Sequence, residues 1–238
     1  MVVPTYNERG RIAELAEAVF AVFRSAGIAG ELVIVDDNSP DGTGDVADEL
    51  ARRFRVRVVH RTGKLGLGSA VMEGFTAAEA PVVGVMDADF SHPPDVIPRL
   101  LRALTTSNAD AVVGSRYVTG GAVMNWPLAR VIMSRLACLL ARPLTPVRDA
   151  TSGFFLIRRA VVHGVRIEAG GFKICLELLL RGPVTSVAEV PYTFVDRTTG
   201  QSKMSTREAL GYFTQLRQLL WVKLSGKAPH PRYQRVDL

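Results

Sequence analysis

The sequence lacks the marks of several protein classes. Its 238 residues contain only two cysteines, Cys138 and Cys175, and both lie in apolar runs. They read as buried, reduced thiols, which excludes a disulfide framework and a cysteine-bound metal. No window of about 18 uncharged apolar residues occurs, so no transmembrane helix is predicted. A basic n-region with a long apolar stretch behind it is missing, so no signal peptide is predicted either. The chain instead enters Pro4-Thr5-Tyr6-Asn7-Glu8 at once. Its first strand, Met1 to Val3, is short for a buried one, and a true start upstream is expected. Aromatics make up only 7%, and no basic stretch carries interleaved aromatics. That argues against a nucleic-acid-binding module and predicts no nucleic acid partner. The four histidines are scattered. There is no Gly-x-Ser-x-Gly elbow and no Cys/His pairing for nucleophilic catalysis.

What is present is a packed, basic chain. Hydrophobic residues are 47% and charged residues 22%, enough for a sizeable core. Lys and Arg outnumber Asp and Glu by 29 to 23, a net +6 that suits an anionic partner. Residues 8–25 carry Ile12, Leu15, Ala16, Val19, Val22 and Phe23 as a one-sided helical stripe. Glu31 to Asp37 is an apolar run ending in acids, the pattern of a strand buried on both faces of a parallel sheet. Val82 to Asp87 and Ala111 to Arg116 repeat it, and 43–54, 66–79 and 94–105 read as helices. This alternation predicts an α/β fold whose ligands sit at the carboxyl ends of the strands. Asp36, Asp37, Asp87, Asp89 and Arg116 all fall at such ends. Further on, 127–142 is an apolar helix broken by Arg130, Ser134 and Arg135. Val187 to Tyr192 reads as a strand and 206–224 as an amphipathic helix, and the basic tail from Lys227 is expected to be mobile.

Asp87-Ala88-Asp89 is the strongest local signal. In an extended chain residues two apart point the same way. Both carboxylates would face one spot, where they repel unless a cation lies between them. Mg²⁺ or Mn²⁺ takes one or two carboxylates and completes its shell with phosphate and water. The same acids could instead cap the helix opened by Pro93 and Pro94. Val35-Asp36-Asp37-Asn38-Ser39-Pro40-Asp41-Gly42-Thr43 is either a site for a ribose or base edge or an ordinary capped turn. Lys64-Leu65-Gly66-Leu67-Gly68-Ser69 reads as a loop whose glycines allow close backbone approach. His92 reads as a helix-entry residue. Arg130 and Ser134 are four apart and share a helix face. Arg197, Ser202 and Lys203 share one loop. Guanidinium forks and ammonium groups suit phosphates. Singly each reads as solvated surface; together, facing acids, they point to two phosphorylated substrates. Asp149-Ala150-Thr151-Ser152-Gly153-Phe154 lies between them, as a close approach at Gly153 or a structural turn.

In this order Pro4-Thr5-Tyr6-Asn7-Glu8, the Val35–Thr43 run, Gly66-Leu67-Gly68, Asp87-Ala88-Asp89-Phe90-Ser91-His92-Pro93-Pro94, Gly114-Ser115-Arg116-Tyr117, Thr151-Ser152-Gly153-Phe154 and Arg197-Thr198-Thr199-Gly200-Gln201-Ser202-Lys203 resemble a known group. It is the inverting family 2 glycosyltransferases, specifically the dolichol-phosphate (polyprenol-monophosphate) mannose synthases. The resemblance covers about residues 1–205. It implies a glycosyltransferase A type, nucleotide-sugar-binding fold with a central, mostly parallel sheet. Residues 1–205 would be the catalytic domain and 206–238 an amphipathic helix and basic tail at the membrane. GDP-mannose would be the donor and a polyprenyl (dolichyl) phosphate the acceptor. Pro4, Tyr6, Glu8, Val35 and Asp37 would hold the guanosine. Asp87, Ala88 and Asp89 would hold the donor diphosphate, with Mg²⁺ or Mn²⁺ on Asp87 and Asp89. Ser91 stands where some members carry a metal-binding Gln. Arg116, Arg130 and Ser134 would hold the acceptor phosphate. Arg197 and Lys203 would bind the donor and neutralise phosphate charge, so that Asp89, Arg116, Arg197 and Lys203 carry catalysis.

The chemistry supports a phosphate acceptor separately. A sugar hydroxyl needs a carboxylate base, whereas a phosphate monoester, with its second pKa near ~6, is already largely dianionic. No third catalytic acid stands out; Glu177, within Leu176-Glu177-Leu178-Leu179-Leu180, reads equally as a base or as part of a structural helix. The Gln-x-x-Arg-Trp signature of processive family 2 polymerases is absent. A UDP-glucose-dependent lipid-phosphate hexosyltransferase and a sugar nucleotidyltransferase are the alternatives. A lipid acceptor places the protein peripherally on the cytoplasmic face of a membrane, through 127–142, 206–224 and the tail. A membrane partner subunit is compatible with this.

Overall fold

A computed structural model describes residues 1–167, 173–196, 206–226, 228–234 and 236. Strands and helices alternate strictly at first: β1 (Val2–Thr5), α1 (Arg9–Ser25), β2 (Leu32–Asp36), α2 (Thr43–Ala51), β3 (Val56–His60), α3 (Leu67–Ala77) and β4 (Val82–Val85). Then come α4 (Ile97–Thr106), β5 (Ala111–Ser115), β6 (Ala122–Met124), α5 (Leu128–Ala141), β7 (Phe155–Arg158), α6 (Arg159–Val162), α7 (Ile174–Arg181), β8 (Ser186–Pro191), β9 (Thr193–Val195), α8 (Thr206–Leu224) and β10 (Arg232–Gln234).

Eight strands form one sheet in the order β10-β8-β5-β7-β4-β1-β2-β3. All neighbours run parallel except β7, which is antiparallel to both β4 and β5. The expected α/β class and mostly parallel sheet are thus what the chain forms. β2 shows why its run is apolar throughout. Leu32 and Ile34 face a layer containing α1, α2 and α4, while Val33 and Val35 face a layer containing α3 and α7. Gly74 lets α3 lie close on the sheet: a Cβ there would meet a Val2 methyl at 2.4 Å. β6 and β9 pair separately as a small parallel ribbon.

Two features position the site. The parallel strands β1, β2, β4 and β5 all end on one side, and reversed β7 starts there, bringing Thr151 to Phe154 to the same rim. The tail departs from expectation. Arg232, Tyr233 and Gln234, expected to be mobile, pair in parallel with Ser186, Val187 and Ala188 of β8. The exposed backbone edge of β8 supplies partners that composition does not reveal.

Candidate active site

The ends of β1 and β2 form a hydrogen-bonded corner. Asp36 is consumed locally: it accepts from Thr5 Oγ1 at 3.1 Å, Ser39 Oγ at 2.5 Å and the Ser39 amide at 2.9 Å. Asp37 is held differently, by a buried Arg61 whose Nη1 bonds its carboxylate. The other arm of Arg61 donates to Ser69 Oγ at 2.5 Å, and its Nε lies 3.2 Å from Glu73. One guanidinium thus fixes both the β2 acid and the glycine loop before α3. Tyr6 is exposed, with the Lys64 ammonium 4.2 Å from its ring centre. The Glu8 amide donates to Thr43 Oγ1 at 2.9 Å. Pro4 is half-buried. The Val35 side chain is fully buried, so a ligand contact there is a main-chain one.

β4 stops at Val85, so Asp87-Ala88-Asp89 is a turn beyond the strand and not an extended segment. What shapes it is His92. The Asp87 amide donates to His92 Nδ1 at 2.9 Å, which leaves the neutral ring's proton on Nε2. His92 is buried and stacks on Phe154, with centroids 5.0 Å apart at 15°. Burial lowers its pKa, against the pull of Asp87 and Asp89, which both lie near enough to act on it. The Ser91 amide caps Asp89 Oδ1 at 3.0 Å, and Ala88 is buried as the anchor. Gly153 leaves room: a Cβ would sit 3.3 Å from His92 Cε1 and 3.9 Å from Asp87 Oδ1. The donor set suits a hard divalent cation: two carboxylates, and a Ser91 hydroxyl that is buried without a partner. Among the described residues no cluster of three or more His, Cys, Asp or Glu forms a complete metal cage. The remaining positions fall to substrate oxygens and water.

The far rim is cationic but internally paired. Arg116 forks onto buried Asp149, Nε to Oδ2 at 2.7 Å and Nη2 to Oδ1 at 2.6 Å, and Nη2 also reaches Thr151 Oγ1 at 3.0 Å. Burial opposes its charge, but Asp149 outweighs this and raises the guanidinium pKa. Asp149 is itself placed by Glu189, whose carboxylate accepts the amides of Arg148 at 2.8 Å and Asp149 at 3.0 Å. Arg130 Nη1 donates to Asp196 Oδ2 at 2.6 Å and stacks 4.1 Å over Trp126. Arg116 lies 5.3 Å from the same ring. Tyr117 Oη donates to Ser134 Oγ at 2.8 Å, leaving the serine proton free to donate. Lys173, before α7, is half-buried. Burial and then the Arg116 charge lower its pKa, while Cys138, Asp149 and Asp87 raise it.

Comparison with known proteins decides the family. Glycosyl transferase family 2 matches residues 1–166. The chain is 42% identical to a dolichol-phosphate mannosyltransferase of Pyrococcus furiosus, over 92% of this chain and 63% of that protein. It is 38% identical to the dolichol-phosphate mannosyltransferase of Saccharomyces cerevisiae, over 95% of this chain and 88% of that one. The chain belongs to glycosyl transferase family 2. It spans less than two thirds of the Pyrococcus protein. Its fold is the glycosyltransferase A type. A solved neighbour is a mannosyltransferase of Pyrobaculum calidifontis in complex with GDP-Man and Mn²⁺, with TM-score 0.64 and 18% identity over 91% of this chain and 63% of that one.

In this family 2 chain the structure gathers Asp87, Asp89, Ser91 and His92 just past β4, and Arg116, Arg130 and Ser134 around Trp126 and Tyr117; Phe194, 5.9 Å from the His92 ring and 5.7 Å from the Arg116 guanidinium, makes the two groups neighbours. Arg197 and Lys203 lie outside the described residues. The expected rim of solvated cations differs in one respect: Arg116 and Arg130 are each neutralised by an aspartate. Glu177 has a structural setting, buried 3.0 Å from Arg181 Nε and accepting from Gln215 Nε2 at 3.0 Å. Sequence reasoning missed Arg61, Lys173, Glu189 and Trp126. None left a clear local signal; Arg61 follows Val56-Arg57-Val58-Val59-His60, where Arg57 and His60 interrupt the apolar residues.

Proposed function

We propose that this glycosyltransferase moves mannose from GDP-mannose to a polyprenyl phosphate, with inversion at the anomeric carbon. One observation carries the reading. Arg116 and Arg130 both pack against Trp126, with the Ser134 hydroxyl held by Tyr117 beside Arg116, as a donor-rich rim, while the acid flagged as a candidate base, Glu177, is held in a buried ion pair. An acceptor that is already an anion needs such a rim and no base. The names of the Pyrococcus and Saccharomyces relatives support the same sugar and lipid.

Asp37, oriented by Arg61, is the acceptor for the N–H edge of guanine, and Tyr6 offers an exposed ring beside it. Asp87, Asp89 and the Ser91 hydroxyl are the groups that would hold Mg²⁺ or Mn²⁺, which when bound offsets charge on the departing diphosphate. Arg116, Arg130, Ser134 and Lys173 hold the acceptor phosphate, screening its repulsion from the donor. Arg197 and Lys203 act on the donor phosphates. An acceptor oxygen then bonds to the anomeric carbon as the bond to GDP breaks, and no proton has to move. Two anions held in line supply much of the acceleration. Residues 1–205 carry this chemistry, and 206–238 adds membrane contact on the cytoplasmic face. Among the described residues no helix is long and apolar enough to cross a membrane.

The test incubates the protein with labelled GDP-mannose, Mg²⁺ or Mn²⁺ and short polyprenyl phosphates. Label should enter the organic phase, and unlabelled GDP-mannose should compete where UDP-glucose does not. Asp89→Ala should lower transfer by at least about 10²-fold with an unchanged melting temperature. Label that stays aqueous with every lipid phosphate, or full activity in Asp89→Ala, defeats the reading.

A further inference from the structure

Trp126 has a donor with nowhere to go. Its Nε1 is buried and has no hydrogen-bond partner. Buried polar groups are nearly always paired, so an orphaned one calls for a reason. The surroundings explain why no neighbour satisfies it. The Arg130 guanidinium lies 4.1 Å from the ring centre and that of Arg116 5.3 Å, and a guanidinium only donates. Phe194 meets the ring at 5.1 Å and 65°, offering no acceptor atom.

The other groups nearby are donors too. Ser134 Oγ already accepts from Tyr117, so its own proton remains to give. The acids close by, Asp149 and Asp196, are spent on Arg116 and Arg130. The surroundings of the ring therefore hold an indole N–H and two guanidiniums, with the Ser134 hydroxyl on Tyr117, whose ring lies 5.3 Å from Arg116. Only a ligand rich in acceptors and negative charge completes such a set. A phosphate monoester dianion has both.

We propose that the Trp126 indole N–H hydrogen-bonds an oxygen of the acceptor phosphate and so positions the attacking group between Arg116 and Arg130. This rests on the lipid-phosphate reading above and adds a residue to it. Trp126 also packs against both guanidiniums, 4.1 Å from Arg130 and 5.3 Å from Arg116 at its ring centre.

Trp126→Phe keeps an aromatic ring against the guanidiniums and removes the N–H together with part of the indole. The KM for farnesyl phosphate should rise about tenfold, equivalent to about 1.4 kcal/mol. The KM for GDP-mannose and kcat at saturating acceptor should stay within about twofold, the signature of lost uniform binding. A second measurement does not need that variant to fold. The chain has two tryptophans, so Trp221→Phe leaves Trp126 as the sole indole emitter. In detergent, farnesyl phosphate should shift its emission saturably while farnesol does not. An unchanged acceptor KM in folded Trp126→Phe, or an equal shift with farnesol, overturns the proposal. If the wild type transfers no mannose yet farnesyl phosphate alone shifts the emission, the phosphate contact stands and the mannosyltransferase reading falls.

Discussion

Asp149 accepts three hydrogen bonds from Arg116, from its backbone amide and from two guanidinium nitrogens. Both side chains are out of water, the acid completely. The attraction of such a pair is largely offset by the desolvation of its members, so the pair adds little net stability. Removing one member is a different matter, since it strands a buried charge. Asp149→Asn should cost about 3 kcal/mol, at the low end for breaking a buried pair because the amide oxygen still accepts. Urea unfolding would read this as a lower midpoint at constant slope. Arg116→Met combined with Asp149→Leu should recover at least half of the loss and still fail to transfer sugar. Asp149→Asn within about 0.5 kcal/mol of wild type would sink this account. Local sequence does not disclose the pairing. Asp149 lies 33 positions from Arg116, inside a segment with the look of an ordinary turn. A charge tally counts the arginine as free, whereas the fold neutralises it. Asp87-Ala88-Asp89 was legible as a candidate because three adjacent residues carry the pattern, although the segment expected to be extended is a turn. Arg61 and Glu189 were not, because each works on a partner brought in from another element, and Lys173 was not, because its burial near Arg116 and Asp149 arises only from the fold.

α5 and α7 show what distinguishes helices of similar composition. α7 buries seven of its eight residues, whereas α5 buries only Cys138 and Ala141 of its fourteen. A helix with so few buried contacts opens at low free energy, while a core helix opens only when the fold does. Each carries a thiol that reports on this. Burial raises the Cys138 pKa to about 11 and raises that of Cys175 as well. At pH 8 the Cys138 thiolate is only about 0.1% populated, so native labelling is slow and proceeds through opening. Cys138 should react with a disulfide reagent well below the urea midpoint, and Cys175 only in step with global unfolding. Mass spectrometry of each cysteine's labelling rate against urea would check this; parallel rates for both would refute it. α5 was legible as an apolar run bounded by prolines, and α7 only as one of two readings of Leu176 to Leu180; the packing of neither was. Nothing local says which neighbour will reach the face of α5. The direction of β7 was hidden for the same reason. Phe155, Leu156 and Ile157 are as apolar as the parallel strands beside them, and only pairing with Val83 to Val85 and Ala111 to Val113 fixes the reversal.

At the scale of the molecule, two helices leave an apolar surface bare. Leu128, Ile132, Leu136 and Leu139 of α5 are exposed, as are Phe213, Trp221 and Leu224 of α8. The helices are tied together: Tyr212 Oη donates to the Ala137 carbonyl at 2.6 Å, and Lys223 Nζ to that of Pro143 at 2.7 Å. A soluble monomer rarely exposes so much contiguous hydrocarbon without a use for it. The proposed lipid acceptor would supply the use, because its chain would stay in the bilayer while its phosphate reached Arg116 and Arg130. On that proposal two terms would drive adhesion. Apolar insertion is insensitive to salt, while the net charge of +6 favours an anionic leaflet by about 1 kcal/mol for each basic group near the surface. Raising salt to about 1 M shrinks the screening length to about 3 Å and removes only the second term. Flotation with anionic vesicles should therefore weaken in high salt without vanishing. Leu136→Glu with Leu139→Glu weakens the first term, leaving Leu128, Ile132, Phe213, Trp221 and Leu224 in place. Both side chains face solvent, so the melting temperature should not fall, while flotation in high salt should drop well below that of the wild type. A double variant that still floats like wild type would show that this face does not meet the lipid. Flotation that vanishes in high salt for the wild type would show that charge alone holds the protein there.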